Sequence, residues 1–275
     1  MSALVDLSSA YPPAIWLVLV AAGAVIGVLA GLLGIGGGVV AVPVLLEVFS
    51  ILGMAPDRSV AMAVGTAQAN IMIASLTAVS AHWRAGTIDR PLVQSWLPAL
   101  LAGTAAGLAL SAVVPAAALT TAFAVASLAL AVKLGGGDGW VLARALPRGP
   151  GALVPPALVG TLASAVGVGG GTLSTPVLAL FSFPVRRAIG AGALFNLVIA
   201  LPATCFFLVH DQGVDGRPAD AVGDVSVACL LALSVPALVI APVAAGWSAR
   251  VPAVLLRRLF ALCLVVVAAR LLLRN

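Results

Sequence analysis

Long apolar runs separated by short polar loops make up most of the chain. They cover residues 14–52, 60–82, 92–114, 116–134, 152–183, 188–210, 225–247 and 253–273. Six of these runs have the length of one membrane-crossing helix. The first and fifth are too long for one crossing, because the 39 residues of the first run would extend about 58 Å as a helix, against a hydrocarbon core of roughly 30 Å.

The composition supports a membrane protein. Hydrophobic residues make up 62% of the chain and charged residues 8%, whereas a soluble domain carries about 25% charged residues. The pattern therefore predicts an all-α polytopic membrane protein with little chain left for a soluble domain. The net charge of +5 does not indicate nucleic acid, because the arginines lie in short loops and record topology.

The two long runs share a glycine-rich motif. GLLGIGGGVVAVPVLL begins at Gly31, and SAVGVGGGTLSTPVLAL begins at Ser164. Residues 34–38 of the first copy align with 167–171 of the second, and a proline follows five residues later in each. A broken helix is tolerated in a bilayer only where it is buried in protein or lines a polar cavity. We therefore predict that each long run is a hairpin, either a helix followed by a shorter half-helix or a fully re-entrant pair.

The distribution of basic residues favours these hairpins. With them, the N-terminus lies outside, and the predicted inside loops hold ten of the fourteen Lys and Arg residues. If the second long run crossed only once, the split would be eight to six, which the positive-inside rule disfavours. The chain then divides into a first repeat (1–134), a cytoplasmic linker (135–151) and a second repeat (152–275). An odd number of crossings per repeat makes the repeats inverted about an axis in the membrane plane.

Two glycine-broken, proline-followed hairpins, each heading four apolar segments, resemble the TauE/SafE family of sulfite exporters and sulfonate-related anion permeases. The resemblance covers nearly the whole chain, and the paired motifs are its most specific part. It implies transport of sulfite, sulfoacetate, related C2 sulfonates or other small organic anions across the bacterial inner membrane.

A short helix is expected after each glycine stretch, and the first turn of a helix presents free N–H groups at the positive end of its dipole. Two such half-helices meeting near the midplane would form an anion site built from backbone. The alternative is that the glycines only allow close helix packing, and that the mid-span amides only bond neighbouring helices. The substrate-binding candidates are Gly36, Gly37, Gly38, Gly169, Gly170, Gly171, Thr172, Ser174, Thr175, Gln68, Asn70 and Asn196.

Three titratable residues are candidates for proton coupling. Glu47 lies well inside an apolar run, and a buried carboxyl group can be neutral near physiological pH. His82 and His210 are the two histidines of the chain and titrate in a suitable range. The alternatives are that Glu47 reaches water at the outer end of its half-helix and that the histidines are interfacial anchors.

These patterns favour a secondary transporter that exports a small anion, such as sulfite or an organosulfonate, by alternating access. An anion channel, an importer and an accessory subunit of a membrane complex remain alternatives.

We expect no enzyme, since the spans hold no nucleophile with a base, and no cofactor, since the glycine stretch lacks the Gly-Lys-Ser/Thr of a phosphate loop. The three cysteines show no metal-ligand spacing, so no metal is expected. The expected partners are the anionic substrate and the lipid bilayer, without nucleic acid; a homodimer is left open. The expected location is the bacterial inner membrane.

Overall fold

A computed structural model describes residues 11–135, 143, 145–147, 149–209, 217–248 and 250–274. The described chain is helical apart from a short β-hairpin. The helices are α1 (Pro13–Leu33), α2 (Gly38–Ile51), α3 (Pro56–Arg84), α4 (Arg90–Val113), α5 (Ala116–Gly135), α6 (Val154–Val166), α7 (Gly171–Leu180), α8 (Val185–Val209), α9 (Val227–Ser248) and α10 (Ala253–Arg274). A 3₁₀ turn, Gly149–Leu153, precedes α6, and strands β1 (Ala221–Val222) and β2 (Val225–Ser226) pair antiparallel before α9.

Six stretches of the described chain are long and apolar enough to cross a membrane. They are α1, α3 from Arg58, α4, the 3₁₀ turn with α6, α8 and α9. The all-α, multi-pass prediction is thereby confirmed. Helix α10 forms where the last run predicts it but is not among the six, and it carries Arg257, Arg258 and Arg270.

The first long run is a full-length helix followed by a half-helix. Helix α1 has 21 residues, about 31 Å and enough to cross the hydrocarbon core, whereas the 14 residues of α2 reach about 21 Å. Gly34, Gly36 and Gly37 in the break have φ between +64° and +80°, a region that only glycine enters readily. A Cβ on Gly37 would overlap Ile26, so α2 turns back along α1.

The second long run has the same plan with shorter helices. Helix α6 ends at Val166 and α7 begins at Gly171. Gly167 and Gly169 take φ values of +77° and +84°. The ten residues of α7 extend about 15 Å, so it is a half-helix as well.

Glycines on α1 let α9 approach its backbone. Gly23 lies against Leu233, and Gly31 against Ala241. Contacts therefore advance in the same direction on both helices, which run parallel. Close approach through small residues is a usual way for helices to associate in a bilayer.

Helices α4 and α6 pack by the same means. Gly103 lies against Ala157, and Gly107 against Thr161. These two helices also run parallel, and their two glycines, four residues apart on one face of α4, allow the close approach.

Helices α3 and α8, which hold the same place in the two repeats, run antiparallel through the middle of the bundle. Gly65, in the first part of α3, lies against Phe207 near the end of α8. At the opposite end, Gly190 lies against Thr87, just beyond α3. Antiparallel packing of equivalent helices is what an inverted repeat requires. The inverted repeat itself and its axis relative to the bilayer stay predictions.

Three loops expected on the inside meet at one end of the bundle. The Arg186 guanidinium donates to the carbonyl of Val251 at 3.2 Å, and Arg187 pairs with Asp89 at 3.4 Å. The structure thus groups these loops as the predicted topology demands. Which side of the membrane they face, and the cytoplasmic place of the linker, stay predictions.

Candidate functional site

The two helix breaks contact each other directly, and they do so reciprocally. A Cβ on Gly171, the first residue of α7, would overlap the carbonyl oxygen of Gly34 at the end of α1. A Cβ on Gly38, the first residue of α2, would overlap the carbonyl oxygen of Gly167 at the end of α6. Each half-helix therefore begins against the break of the other repeat, at the point where its first N–H groups are free of intrahelical partners.

The meeting point lies near the middle of the two central helices. Ile71 of α3 would contact a Cβ on Gly38 at 2.6 Å and one on Gly169 at 3.4 Å. On the α8 side, a Cβ on Gly36 would lie 2.7 Å from the Asn196 side chain. Asn196 stands near the midpoint of its helix, so the breaks lie deep in the bundle.

Asn196 bridges the two breaks. Its Oδ1 accepts a hydrogen bond from the Gly171 N–H at 2.6 Å, and its Nδ2 donates to the Gly34 carbonyl at 2.8 Å. The residue is 1% exposed. Both bonds are therefore shielded from water, where hydrogen bonds are electrostatically strongest.

The three hydroxyl residues of α7 have different environments. The Thr172 hydroxyl donates to the carbonyl of Ile35 in the other break at 3.1 Å. Its Oγ1 also lies 3.0 Å from the carbonyl of Val168, four residues earlier in the chain. Thr175 donates to the Ala188 carbonyl of α8 at 3.3 Å. Ser174 is fully buried, and its Oγ has no hydrogen-bond partner within the described chain. Of the three, Ser174 alone has a hydroxyl without a hydrogen-bond partner among the described residues.

The structure separates the amides of α3. The Gln68 Nε2 points to the end of α6, lying 3.5 and 3.4 Å from the carbonyls of Ala163 and Ser164. Asn70 faces α9, where its Oδ1 accepts from Ser234 at 2.9 Å. Both side chains are buried, but neither bonds to a break residue within the described part of the chain.

The meeting point is closed and uncharged. The candidate glycines, hydroxyl residues and amides at the breaks are all buried. In the described structure, the side chains nearest to a Cβ position on the break glycines are apolar or neutral. Any attraction for an anion therefore comes from backbone N–H groups and helix dipoles, as at other helix-terminal anion sites.

The described candidates for proton coupling lie on α2 and α3, outside the break residues 34–37 and 167–170. Glu47 is exposed on α2, about two and a half turns beyond Gly38. His82 is buried at the end of α3, where its Nδ1 lies 3.0 Å from the Thr87 hydroxyl. His210 lies outside the described residues. A coupling role for these residues stays a prediction.

Sequence reasoning did not identify a polar network at the end of the bundle opposite the loops that hold Arg186 and Arg187. Asp220 accepts from the Tyr11 hydroxyl at 2.9 Å, from Ser226 Oγ at 2.7 Å and from the Ala228 N–H at 2.9 Å. The last bond caps the first turn of α9. Asp220 stands seven residues before that helix, so no capping spacing marks it in the sequence.

A buried ion pair lies in the same segment, at the β-hairpin formed by β1 and β2. Arg217 contacts Asp224 at 3.1 Å, and their side chains are 12% and 4% exposed. A Cβ on Gly65 of α3 would overlap the Asp224 carbonyl. The sequence showed only an acidic loop; its insertion against α3 is a tertiary feature.

The fold and the paired breaks define a multi-pass α-helical membrane protein with two broken-helix hairpins that meet inside the bundle. The family model described as "Sulfite exporter TauE/SafE" matches residues 19–271. The chain belongs to this family, which confirms the resemblance.

Curated relatives are similar over much of the chain. A probable membrane transporter protein of Haemophilus influenzae is 28% identical over 254 residues, which cover 92% of this chain and 96% of the relative. A probable membrane transporter protein of Methanocaldococcus jannaschii is 28% identical over 174 residues, 62% of this chain and 64% of the relative. No solved structure matches the chain. The family and these relatives indicate a membrane transporter.

Proposed function

We propose that this protein is a secondary transporter that moves a small anion, sulfite or an organosulfonate, by alternating access. The observation that carries the proposal is the contact between the two breaks, where each half-helix begins deep in the bundle. Broken helices whose N-termini meet near mid-membrane are a recurrent way to bind anionic groups in secondary transporters. The family description, a sulfite exporter, supplies the substrate class and suggests export.

The closed state of the site favours a carrier over a channel. The break residues are buried and joined by hydrogen bonds between the two repeats. An anion can enter only if these contacts separate, and separation toward one side at a time is alternating access. We propose the bacterial inner membrane, with the N-terminus outside, as the location.

Counterflow in proteoliposomes tests this proposal. Vesicles loaded with unlabelled sulfite, sulfoacetate, isethionate or acetate should transiently accumulate the labelled anion that the carrier recognises. Gly37→Leu and Gly170→Leu should abolish this accumulation, since a Cβ at these positions would contact Ile26 and Ile199 side chains. The matched control is Gly246→Leu on α9, where a Cβ meets nothing within 4 Å.

The results separate the alternatives. Labelled-anion accumulation that persists in the Gly37 and Gly170 variants would contradict a site at the breaks. Single-channel currents in a planar bilayer, without counterflow, would establish a channel instead. The absence of flux for all four anions would refute anion transport of this class.

A further inference from the structure

The Asn196 carboxamide occupies the position where an anion would bind to α7. Its oxygen lies 2.6 Å from the first backbone N–H of that half-helix, and its nitrogen ties the oxygen in place through the Gly34 carbonyl. Building on the proposed function, we propose that Asn196 is a place-holder: its Oδ1 caps α7 in the empty transporter, and the substrate must displace it to bind.

The chemistry of the exchange favours the anion. The amide oxygen and a sulfite or sulfonate oxygen are both acceptors for the same N–H, but only the latter carries charge. A hydrogen bond to a charged acceptor is roughly twice as strong as a neutral one, and the positive end of the helix dipole adds to the difference. A neutral place-holder thus satisfies the buried N–H without preventing substrate binding.

A buried hydroxyl about one turn further along α7, on the face of that helix that packs against Gly192 of α8, points to the same occupant. A Cβ on Gly192 of α8 would lie 3.2 Å from the Gly171 Cα and 3.4 Å from the Ser174 Oγ. The unpartnered Ser174 hydroxyl is therefore directed to the α7–α8 contact at the start of α7. An unpaired buried hydroxyl costs free energy, and an anion on the Gly171 N–H would supply its missing acceptor.

Among the described residues, no side chain caps the start of α2 as Asn196 caps α7. Gln68 of α3 stands ten residues after Arg58, as Asn196 of α8 stands ten residues after Arg186. Gln68 directs its Nε2 to the end of α6, and its Oε1 has no partner in the described structure. At Gly38 the nearest atoms to a Cβ position are the Gly167 carbonyl, the Ile71 side chain and Val168 Cα. The exchange is thus assigned to the second repeat alone.

Removing the place-holder should tighten binding. One hydrogen bond to the carboxamide contributes about 0.5–1.5 kcal/mol, so Asn196→Ala should lower the anion Kd by roughly 2- to 12-fold. The measurement is a titration of the purified full-length protein with sulfite, sulfoacetate, isethionate and acetate, followed by thermal shift. The control is Thr204→Val. Thr204 lies about two turns after Asn196 on α8, is buried, and its hydroxyl has no partner in the described chain. Its Kd should equal that of the wild type.

Asn196→Asp provides an independent readout. A carboxylate would hold the Gly171 N–H with a charge-assisted bond and repel the anion, so the Kd should rise at least tenfold while gel-filtration behaviour stays normal. If Asn196→Ala does not purify as a monodisperse protein, the Kd of Asn196→Asp decides whether Asn196 is a place-holder.

The outcomes distinguish the place-holder from the proposed function. A Kd that is unchanged or higher in Asn196→Ala, or wild-type affinity in Asn196→Asp, overturns the place-holder; a merely structural amide would lower the melting temperature without tightening binding. If the wild type responds to none of the four anions, the proposed function fails first.

Discussion

Gly171→Ala gives opposite expectations from the sequence and from the structure. Gly171 is the first residue of α7 and has no positive φ, so helix propensity alone would favour alanine by up to about 1 kcal/mol. In the structure, however, a Cβ there would overlap the Gly34 carbonyl and lie 2.9 Å from Asn196 Nδ2 and 3.0 Å from the Gly192 carbonyl. Two of these three neighbours are backbone atoms, which cannot move aside independently.

The magnitude follows from the competing effects. Overpacking costs about 1–3 kcal/mol, and weakening the Gly171–Asn196 hydrogen bond adds about 1 kcal/mol. After subtracting the gain in helix propensity, Gly171→Ala should lose about 1–3 kcal/mol, which corresponds to a fall of roughly 2–12 °C in melting temperature. Gly246→Ala, where a Cβ meets open space, should leave the melting temperature unchanged or raise it slightly.

The assay is thermal unfolding of the purified variants in one detergent, at one heating rate because membrane proteins often unfold irreversibly. Anion counterflow is measured on the same preparations and should fall with Gly171→Ala only. Equal melting temperatures for the two variants would refute the close contact between the breaks on which the site depends.

Three further predictions concern the rest of the bundle. Asp224→Asn should destabilise the protein by about 3–5 kcal/mol because it breaks a buried ion pair, whereas Asp89→Asn, in an exposed pair, should change stability by less than about 1 kcal/mol; equal losses in chemical unfolding would contradict this. Burial raises the pKa of the Tyr11 hydroxyl, so the unfolded chain loses that proton first and stability should fall as pH rises above about 10. Tyr11→Phe should reduce this alkaline loss in melting temperature, and an identical pH profile would argue against it. Gly27→Ala should lower the melting temperature, since a Cβ would lie 2.8 Å from Ile240 Cβ of α9; an unchanged value would show that α1 and α9 are not so close.

Much of the fold was predictable because it depends on local sequence. The run 92–114 corresponds to α4, Arg90–Val113, and the run 225–247 to α9, Val227–Ser248. In a bilayer the backbone must satisfy its own hydrogen bonds, so an apolar run of this length becomes a helix whatever its neighbours are. The break at residues 34–37 was equally readable, because several glycines in succession do not hold a helix.

The site was only partly predictable. The glycines, the α7 hydroxyls and Asn196 were all candidates, but the sequence could not assign partners among them. Gln68 and Asn196 looked equivalent, yet one bonds the end of α6 and the other bridges both breaks. The Asp220 network was missed because Tyr11 and Asp220, which it joins, are 209 residues apart along the chain.

The sequence by itself determined the membrane class, the helices, the two breaks and the family, because hydropathy, glycine content and motif are properties of neighbouring residues. Tertiary structure alone decided that the breaks touch and that Asn196 caps α7, while the Ser174 hydroxyl has no partner among the described residues. The physical reason is that a hydrogen bond forms only within a narrow range of donor–acceptor distances. Here the donor and the acceptor belong to segments that are far apart in the chain. Those distances are set by how α3 and α8 pack between the two repeats.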